Sequence, residues 1–226
     1  MGGNAAGTIG SLSSAGQAVA AVVLIGGGGL GLWAADEFGG GQGTDPGPAA
    51  CEVTEDELPP EYASGAQLCA ALNRPDLPEL LGTPQDTALS AGGRGTWLTL
   101  LGDRTAAPEA KVSLETYAVQ LTASYGGLPV ARTAEAPAAA AQPTTVLGHP
   151  AVLASERTIA ISLNGGKTGS GPGGIARRLV VAKDVKDGGD SFEVVIWRHD
   201  GRLPDDAALY RVAEQVLPAV PGWTAG

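Results

Sequence analysis

The stretch SFEVVIWRHDGRLPDDAALYRVAEQVLP, residues 191–218, decides the fold. Successive side chains of a strand point to opposite faces, so Phe192, Val194 and Ile196 lie on one side while Val195 and Trp197 lie on the other. A sheet with one face in water does not need both sets apolar, so both faces are covered here. Beyond the strand end, Asp205 stands where a helix N-cap belongs. Leu209, Val212, Ala213, Val216 and Leu217 then recur at i, i+3, i+4, i+7 and i+8, until Pro218 stops the helix.

Working back from this point, Ile175 to Lys183 reads as a strand, entered from a Gly-rich loop, Asn164 to Gly174. Arg157 to Leu163 reads as another, and Thr145–Leu147 and Ala151–Ala154 flank a turn at Gly148-His149-Pro150. Residues 131–145 are rich in Ala and Pro without periodicity and read as a loose loop. Lys111 to Tyr125 reads as one long strand whose apolar parity changes, implying a bulge near Glu115-Thr116. Trp97 to Leu101 is the first strand. Upstream, Ser64-Gly65-Ala66-Gln67 has the form of a capping box opening a short helix through Leu68, Cys69 and Leu72. Pro75 limits that helix, and Asp76 restarts a second turn through Leu77, Leu80 and Leu81. The expected fold is α+β: an antiparallel sheet flanked by an N-terminal and a C-terminal helix, forming a sandwich.

The N-terminal part has a different character. Residues 15–35 form an uncharged, largely apolar run of 21 positions ending at Trp33-Ala34-Ala35, followed by Asp36 and Glu37. As a helix it reaches about 30 Å, the thickness of a hydrocarbon core, and reads as a transmembrane span. A cleavable signal peptide would carry a basic n-region and a small-x-small cleavage site. No Lys or Arg precedes Arg74, and Trp33 or Leu32 would occupy the small-residue position. Gly47-Pro48-Ala49-Ala50 before Cys51 has no Leu where a lipidation box wants one. The expected organisation is a short tail (1–14), the span (15–35), an acidic Gly/Pro-rich tether (36–60) and a globular domain (61–226). Within the span, Gly27 and Gly31 form a small-xxx-small pair that permits close helix approach, the alternative being plain lipid-exposed anchoring.

A short uncharged tail before a large C-terminal domain suits an inside N-terminus and a domain outside the cell membrane. The cysteines agree with this orientation. Cys51 and Cys69 are the two present, and an even pair facing an oxidising space reads as one disulfide; in a cytosolic domain they would be two buried thiols. Charge follows the same division. Residues 1–73 hold eight carboxylates and no Lys or Arg, whereas residues 74–226 hold 16 carboxylates against 14 basic residues. With no basic stripe to displace counterions from phosphates, nucleic acid is excluded as an expected partner.

The sequence carries few of the motifs that announce a chemistry. Gly166-Lys167-Thr168 lacks the Gly that a phosphate loop needs five positions earlier, where Ile161 stands. Gly169, Gly171 and Gly174 match a dinucleotide spacing but lead into a strand. Two histidines, His149 and His199, are too few for a zinc site once both cysteines are paired. The acidic group Glu52, Glu55, Asp56, Glu57 and Glu61 lacks the spacing of a calcium loop. No serine sits in a Gly-x-Ser-x-Gly elbow. The residual hydrolase arrangement uses His199 as base, Asp200 or Asp205 as its orienting acid, and Ser170 or Ser191 as nucleophile. Neither a cofactor nor a metal is expected, and the chain is expected not to be an enzyme.

Several stretches carry a resemblance: Gly16-Gln17-Ala18-Val19-Ala20-Ala21, Ser64 to Cys69, Arg74-Pro75-Asp76-Leu77-Pro78, Val146 to Val152, Gly171 to Arg177, and Pro204 to Leu209. With them the chain resembles an actinobacterial membrane-anchored family designated a domain of unknown function, DUF6215. That resemblance implies membership and no activity. A looser similarity, at the level of fold, is to PsbP-like cell-surface lipoprotein domains, from which the chain departs in its membrane helix and missing lipobox. The function expected is a non-catalytic, membrane-tethered extracytoplasmic binding or accessory domain that meets a protein, a cell-wall component or a small ligand through the sheet edge or the Gly-rich loop. The alternatives are an assembly component acting through its Gly-rich span and an enzyme with an unrecognised site.

Overall fold

The alternation read in residues 191–198 puts that strand in the interior of a sheet, with neighbours on both sides. The computed structural model describes residues 19–22, 49–55, 58–95, 97–100, 103–134, 141–164 and 167–224. In chain order the elements are β1 (Val19–Val22), β2 (Cys51–Glu55), α1 (Gly65–Leu72), α2 (Leu77–Leu81), β3 (Ala88–Gly95), β4 (Trp97–Leu100), β5 (Asp103–Ala106), β6 (Glu109–Leu114), β7 (Tyr117–Ser124), α3 (Val130–Thr133), β8 (Gln142–Val146), β9 (His149–Asn164), β10 (Lys167–Ala182), β11 (Ser191–Arg198) and α4 (Asp206–Val216). The main sheet runs β1-β9-β10-β11-β7-β6-β3-β2, with β8 also on β9, and β4 pairs with β5 separately.

The two faces of this sheet differ. One is roofed by α1, α2 and α4, whose Leu68, Leu72, Leu77, Leu209, Val212 and Val216 join Val112, Val119, Leu121, Leu179, Phe192, Val194 and Ile196 in one buried cluster. The other carries a small cluster of Ala118, Ala176, Val195 and Trp197, with α3 closing its β9–β10 end through Val130, Val152 and Ala182. Among these apolar residues stand charged and amide side chains. Arg178 bridges Glu156 (2.8 Å) and Glu193 (2.6 Å), and Gln120 donates to Glu109, which also pairs with Arg94.

Several expectations are corrected. The sheet is mixed, because β2 runs parallel to β3, with Cys51 opposite Ala91. Neither strand was expected, since Ala91-Gly92-Gly93-Arg94-Gly95 has no apolar alternation to read. Residues 111–125 are two strands, β6 and β7, paired with Ser113 opposite Ala118. The parity change at Glu115-Thr116 is therefore a hairpin turn, and a change of side-chain phase is what turn and bulge share. The loop expected at 131–145 contains α3 and β8, while residues 135–140 lie outside the described residues. The Gly-rich loop expected at 164–174 is mostly paired strand. β9 and β10 remain in register to Asn164 and Lys167, with a single irregularity between Pro172 and Ile175.

Of the expected transmembrane helix, Val19–Val22 is instead an extended strand antiparallel to Ile159–Ser162 of β9. Residues 15–18 and 23–35 lie outside the described residues, as does the tail, 1–14. Among the described residues, no helix is long and apolar enough to cross a membrane.

The start of α1 is fixed three ways. Ser64 and Gln67 form the expected capping box, each satisfying the other's backbone N–H. The N–H of Ala63 donates to the Tyr125 hydroxyl at 2.7 Å, tying the helix start to the end of β7. Gly65 and Gly93 meet backbone to backbone: a Cβ on Gly93 would collide with the Gly65 carbonyl, and a Cβ on Gly65 with the Arg94 backbone. The neighbours of a Cβ on Gly93 are main-chain atoms, which have no rotamer to retreat into. Gly93→Ala is thus expected to lower the unfolding free energy by about 3 kcal/mol, the upper range for an overpacked core. Urea denaturation checks it, and a loss within 0.5 kcal/mol, a typical surface-substitution effect, would contradict the contact.

Candidate functional site

The break between α1 and α2 makes a cavity. Pro75 cannot continue a helix and biases Arg74 away from helical geometry, so α1 ends at its C-cap Asn73 and α2 starts afresh with Pro78 in its first turn. The corner stands off the sheet where β3 begins and β6 ends, leaving a half-open cavity of about 200 Å³. Its apolar lining is Pro75, Leu77, Pro78, Ala88, Val112 and Leu114, and its polar lining is Asn73, Arg74, Asp86 and Thr87.

Each polar side chain on this rim already has an internal partner. Arg74 holds Asp76 through two nitrogens and donates a third to the Gln215 carbonyl. The Arg74 guanidinium lowers the Asp76 carboxyl below its usual range. Asp86 accepts from the backbone N–H of Thr116 at 2.9 Å and from its hydroxyl at 3.1 Å. Thr87 bonds Glu115, and Asn73 donates its amide to the Ala49 carbonyl.

Asn73 links the cavity to the point where the chain first meets the domain. Its amide also lies 3.8 Å from Cys51 Sγ, and Cys51 is disulfide-bonded to Cys69 on the buried face of α1. The two expected cysteines are thus brought together, joining β2 to α1 beside the cavity. The expected helix-packing residues, Gly27 and Gly31, lie outside the described residues. The cavity itself was not legible in the sequence. Pro75 gave the helix break, but its position over β3 and β6 depends on a strand pairing that the sequence does not announce.

The hydrolase arrangement is not assembled. His199 Nε2 lies 3.3 Å from the Ser113 hydroxyl, not beside Ser170 or Ser191, which sit in β10 and at the start of β11. Asp200 is held by Arg198 through two nitrogens, and Asp205 is spent as the N-cap of α4, accepting from Ala207 N–H. Burial lowers the His199 pKa, and neighbouring Lys111 adds to the effect. Burial likewise lowers that of Lys111, whose ammonium lies 5.2 Å from the centre of the Trp197 ring, with Glu109 acting in the opposite sense. His149 is fully buried, donates its Nδ1–H to the Ala182 carbonyl at 2.8 Å, and stacks on Trp223. Lys167 and Thr168 pair with Asn164 and Leu163 within the β9–β10 hairpin, so no helix start is there to receive a phosphate. Among the described residues no cluster of three His, Cys, Asp or Glu could hold a metal ion.

Reducing the disulfide releases a link between residues 18 apart in sequence, worth about 3 kcal/mol on the chain-entropy account. The Cys51→Ser, Cys69→Ser double variant is expected to lose about that much in denaturant unfolding. Equal stability of the oxidised and reduced protein would contradict the assignment.

The family of unknown function DUF6215 matches residues 11–139, more than half of the chain. The stretches resembling it at 146–152, 171–177 and 204–209 fall outside the matched residues. No curated protein matches the chain. No solved structure does either, so the likeness to PsbP-like lipoproteins carries no argument. The chain belongs to the DUF6215 family, and that membership brings no activity with it.

Proposed function

We propose that this DUF6215 chain is a non-catalytic binding or accessory domain, held at the outer surface of the cell membrane by a single span over residues 15–35, with its N-terminus inside. The observation that carries the reading is the Cys51–Cys69 disulfide, because such a bond persists in an oxidising space outside the cytoplasm. It sits where a tether from the membrane would reach the domain, and there it would stop pulling on the tether from peeling β2 off the sheet edge.

The far end of the sheet is held by its own loops. There the loops after β7 and β10 are joined by Gly127 N–H to the Gly189 carbonyl at 3.0 Å. Asp187 accepts from the backbone N–H groups of Val130 and Ala131 at 2.6 and 2.8 Å. This fixed end, opposite the end where Cys51 enters the sheet, carries the exposed side chains Leu128 and Val185. This reading requires residues 19–22, which pair with β9 as an extended strand here, to be helical once in the bilayer.

Protease shaving of intact cells is expected to remove the domain, and intact mass of the membrane-extracted protein is expected to retain residues 1–35. A domain protected until lysis, or a mature chain beginning near Asp36, would overturn the proposal. The second reading, assembly through the span, is favoured by the glycine run 26–29 and Gly31. It expects Gly27→Leu with Gly31→Leu to weaken self-association of the full chain in a membrane reporter about tenfold, whereas an unchanged signal leaves these glycines passive.

A further inference from the structure

We propose that the outer edge of β9 at Ile159–Ser162 is a strand-accepting site, that its occupant is this chain's own Val19–Val22, and that insertion of residues 15–35 into the bilayer bares it. The release into the bilayer rests on the anchored reading above. The cap on the sheet edge stands without it.

Strand β9 has 16 residues, and its inner side pairs with β10 from Ala151 to Asn164. Its outer side is divided. β8 covers His149 to Leu153, and Val19–Val22 covers the later part, with Val22 opposite Ile159 and Val19 opposite Ser162. An open edge strand offers a row of backbone N–H and C=O groups to any extended segment, and proteins blunt such edges with charge or proline. The half under β8 has proline on both strands, Pro143 and Pro150. The other half has neither device: Ile159-Ala160-Ile161-Ser162-Leu163 contains no charge and no proline, and two of its five residues are β-branched. Left bare, such a stretch is a template for pairing with other chains. Among the described residues, Val19–Val22 is the strand that covers it.

The occupant suits two places. Val19-Ala20-Ala21-Val22 is uncharged with a β-branched residue at each end, so it extends along a sheet and also belongs to an apolar span. It cannot be in both, because a strand rises about 3.3 Å per residue and a helix about 1.5 Å. Pairing with β9 engages four residues, whereas insertion buries an apolar run of 21. Since the hydrophobic driving force grows with the apolar area removed from water, the bilayer takes the segment where there is one. Without a bilayer, the edge of β9 holds it. The connection permits both arrangements. β1 and β2 stand at opposite ends of the strand order, seven spacings or about 34 Å apart, and the 28 residues between them reach about 90 Å at full extension. Anchoring and exposure of a pairing edge are thereby coupled.

Hydrogen exchange of the full chain, without lipid and in phosphatidylcholine nanodiscs, tests this. Without lipid, the amides of residues 159–162 that face β1 are expected to be protected. Ala20→Pro with Ala21→Pro removes two successive donors of β1, and is expected to speed exchange at 159–162 about tenfold while leaving β7 and β11 unchanged. In nanodiscs, the unaltered chain is expected to exchange about tenfold faster at 159–162 than without lipid, while residues 15–35 become protected. Equal exchange at 159–162 with and without the two prolines, or a chain that does not stay in solution without lipid, would overturn the cap. Acceleration that spreads to β7 and β11 would make β1 part of the core and overturn its release, as would protection at 159–162 that persists in nanodiscs with residues 15–35 protected. Protection at 159–162 with residues 15–35 unprotected in nanodiscs would retain the cap and overturn the membrane anchor instead.

Discussion

Helix α1 meets strand β3 backbone to backbone, and much of the architecture depends on that approach. With no side chain on Gly65 or Gly93, the helix lies closer to the sheet than a side-chain layer would allow. At that distance Leu68 and Leu72 reach the centre of the core, and Cys69 comes near enough to the edge strand to be bonded to Cys51, the two Cα atoms being 6.2 Å apart. The same docking aims the C-terminus of α1 at the start of β3. There Pro75 breaks the helix, and the cavity opens in the corner.

The disulfide and the glycine contact act on different states. The contact narrows the folded state to one helix placement, since any Cβ at that position meets main-chain atoms. The disulfide acts mainly on the unfolded chain by removing conformations that hold β2 and α1 apart. β2 needs this help: it is a five-residue edge strand, parallel to a glycine-rich neighbour that offers few side chains to pack against.

The two faces of the sheet divide the labour. The face under the helices is apolar and supplies the stability. The opposite face mixes Trp197 and Val195 with the Arg178, Glu156 and Glu193 group, where burial raises the Glu193 carboxyl and Arg178 works against that rise. Buried ion groups of this kind contribute little net stability, because desolvation consumes most of the Coulombic gain. Their positions on β9, β10 and β11 make them sensitive to register. A one-residue slip would carry these charges into the apolar core.

The sequence by itself determined the local features: the capping box at Ser64, the helix break at Pro75, the amphipathic α4 and the two-faced strand β11. Each rests on chemistry within a few residues, where side-chain periodicity and hydrogen-bonding type are sufficient. It also limited the chemistry, because no serine sits in a nucleophile elbow, the histidines are only two, and the one glycine run with a dinucleotide spacing leads into a strand. Tertiary structure alone decided the rest. The β6–β7 turn looked like a bulge because both change side-chain phase alike, and only the partner strand tells them apart. The β2–β3 parallel pair was invisible because Gly92 and Gly93 carry no side chain to alternate, the role of Gly93 being to admit α1. The cavity follows from that same contact, made between residues 28 positions apart. No local pattern encodes it, because what matters at Gly93 is an atom that is missing and a neighbour that only the folded chain brings there.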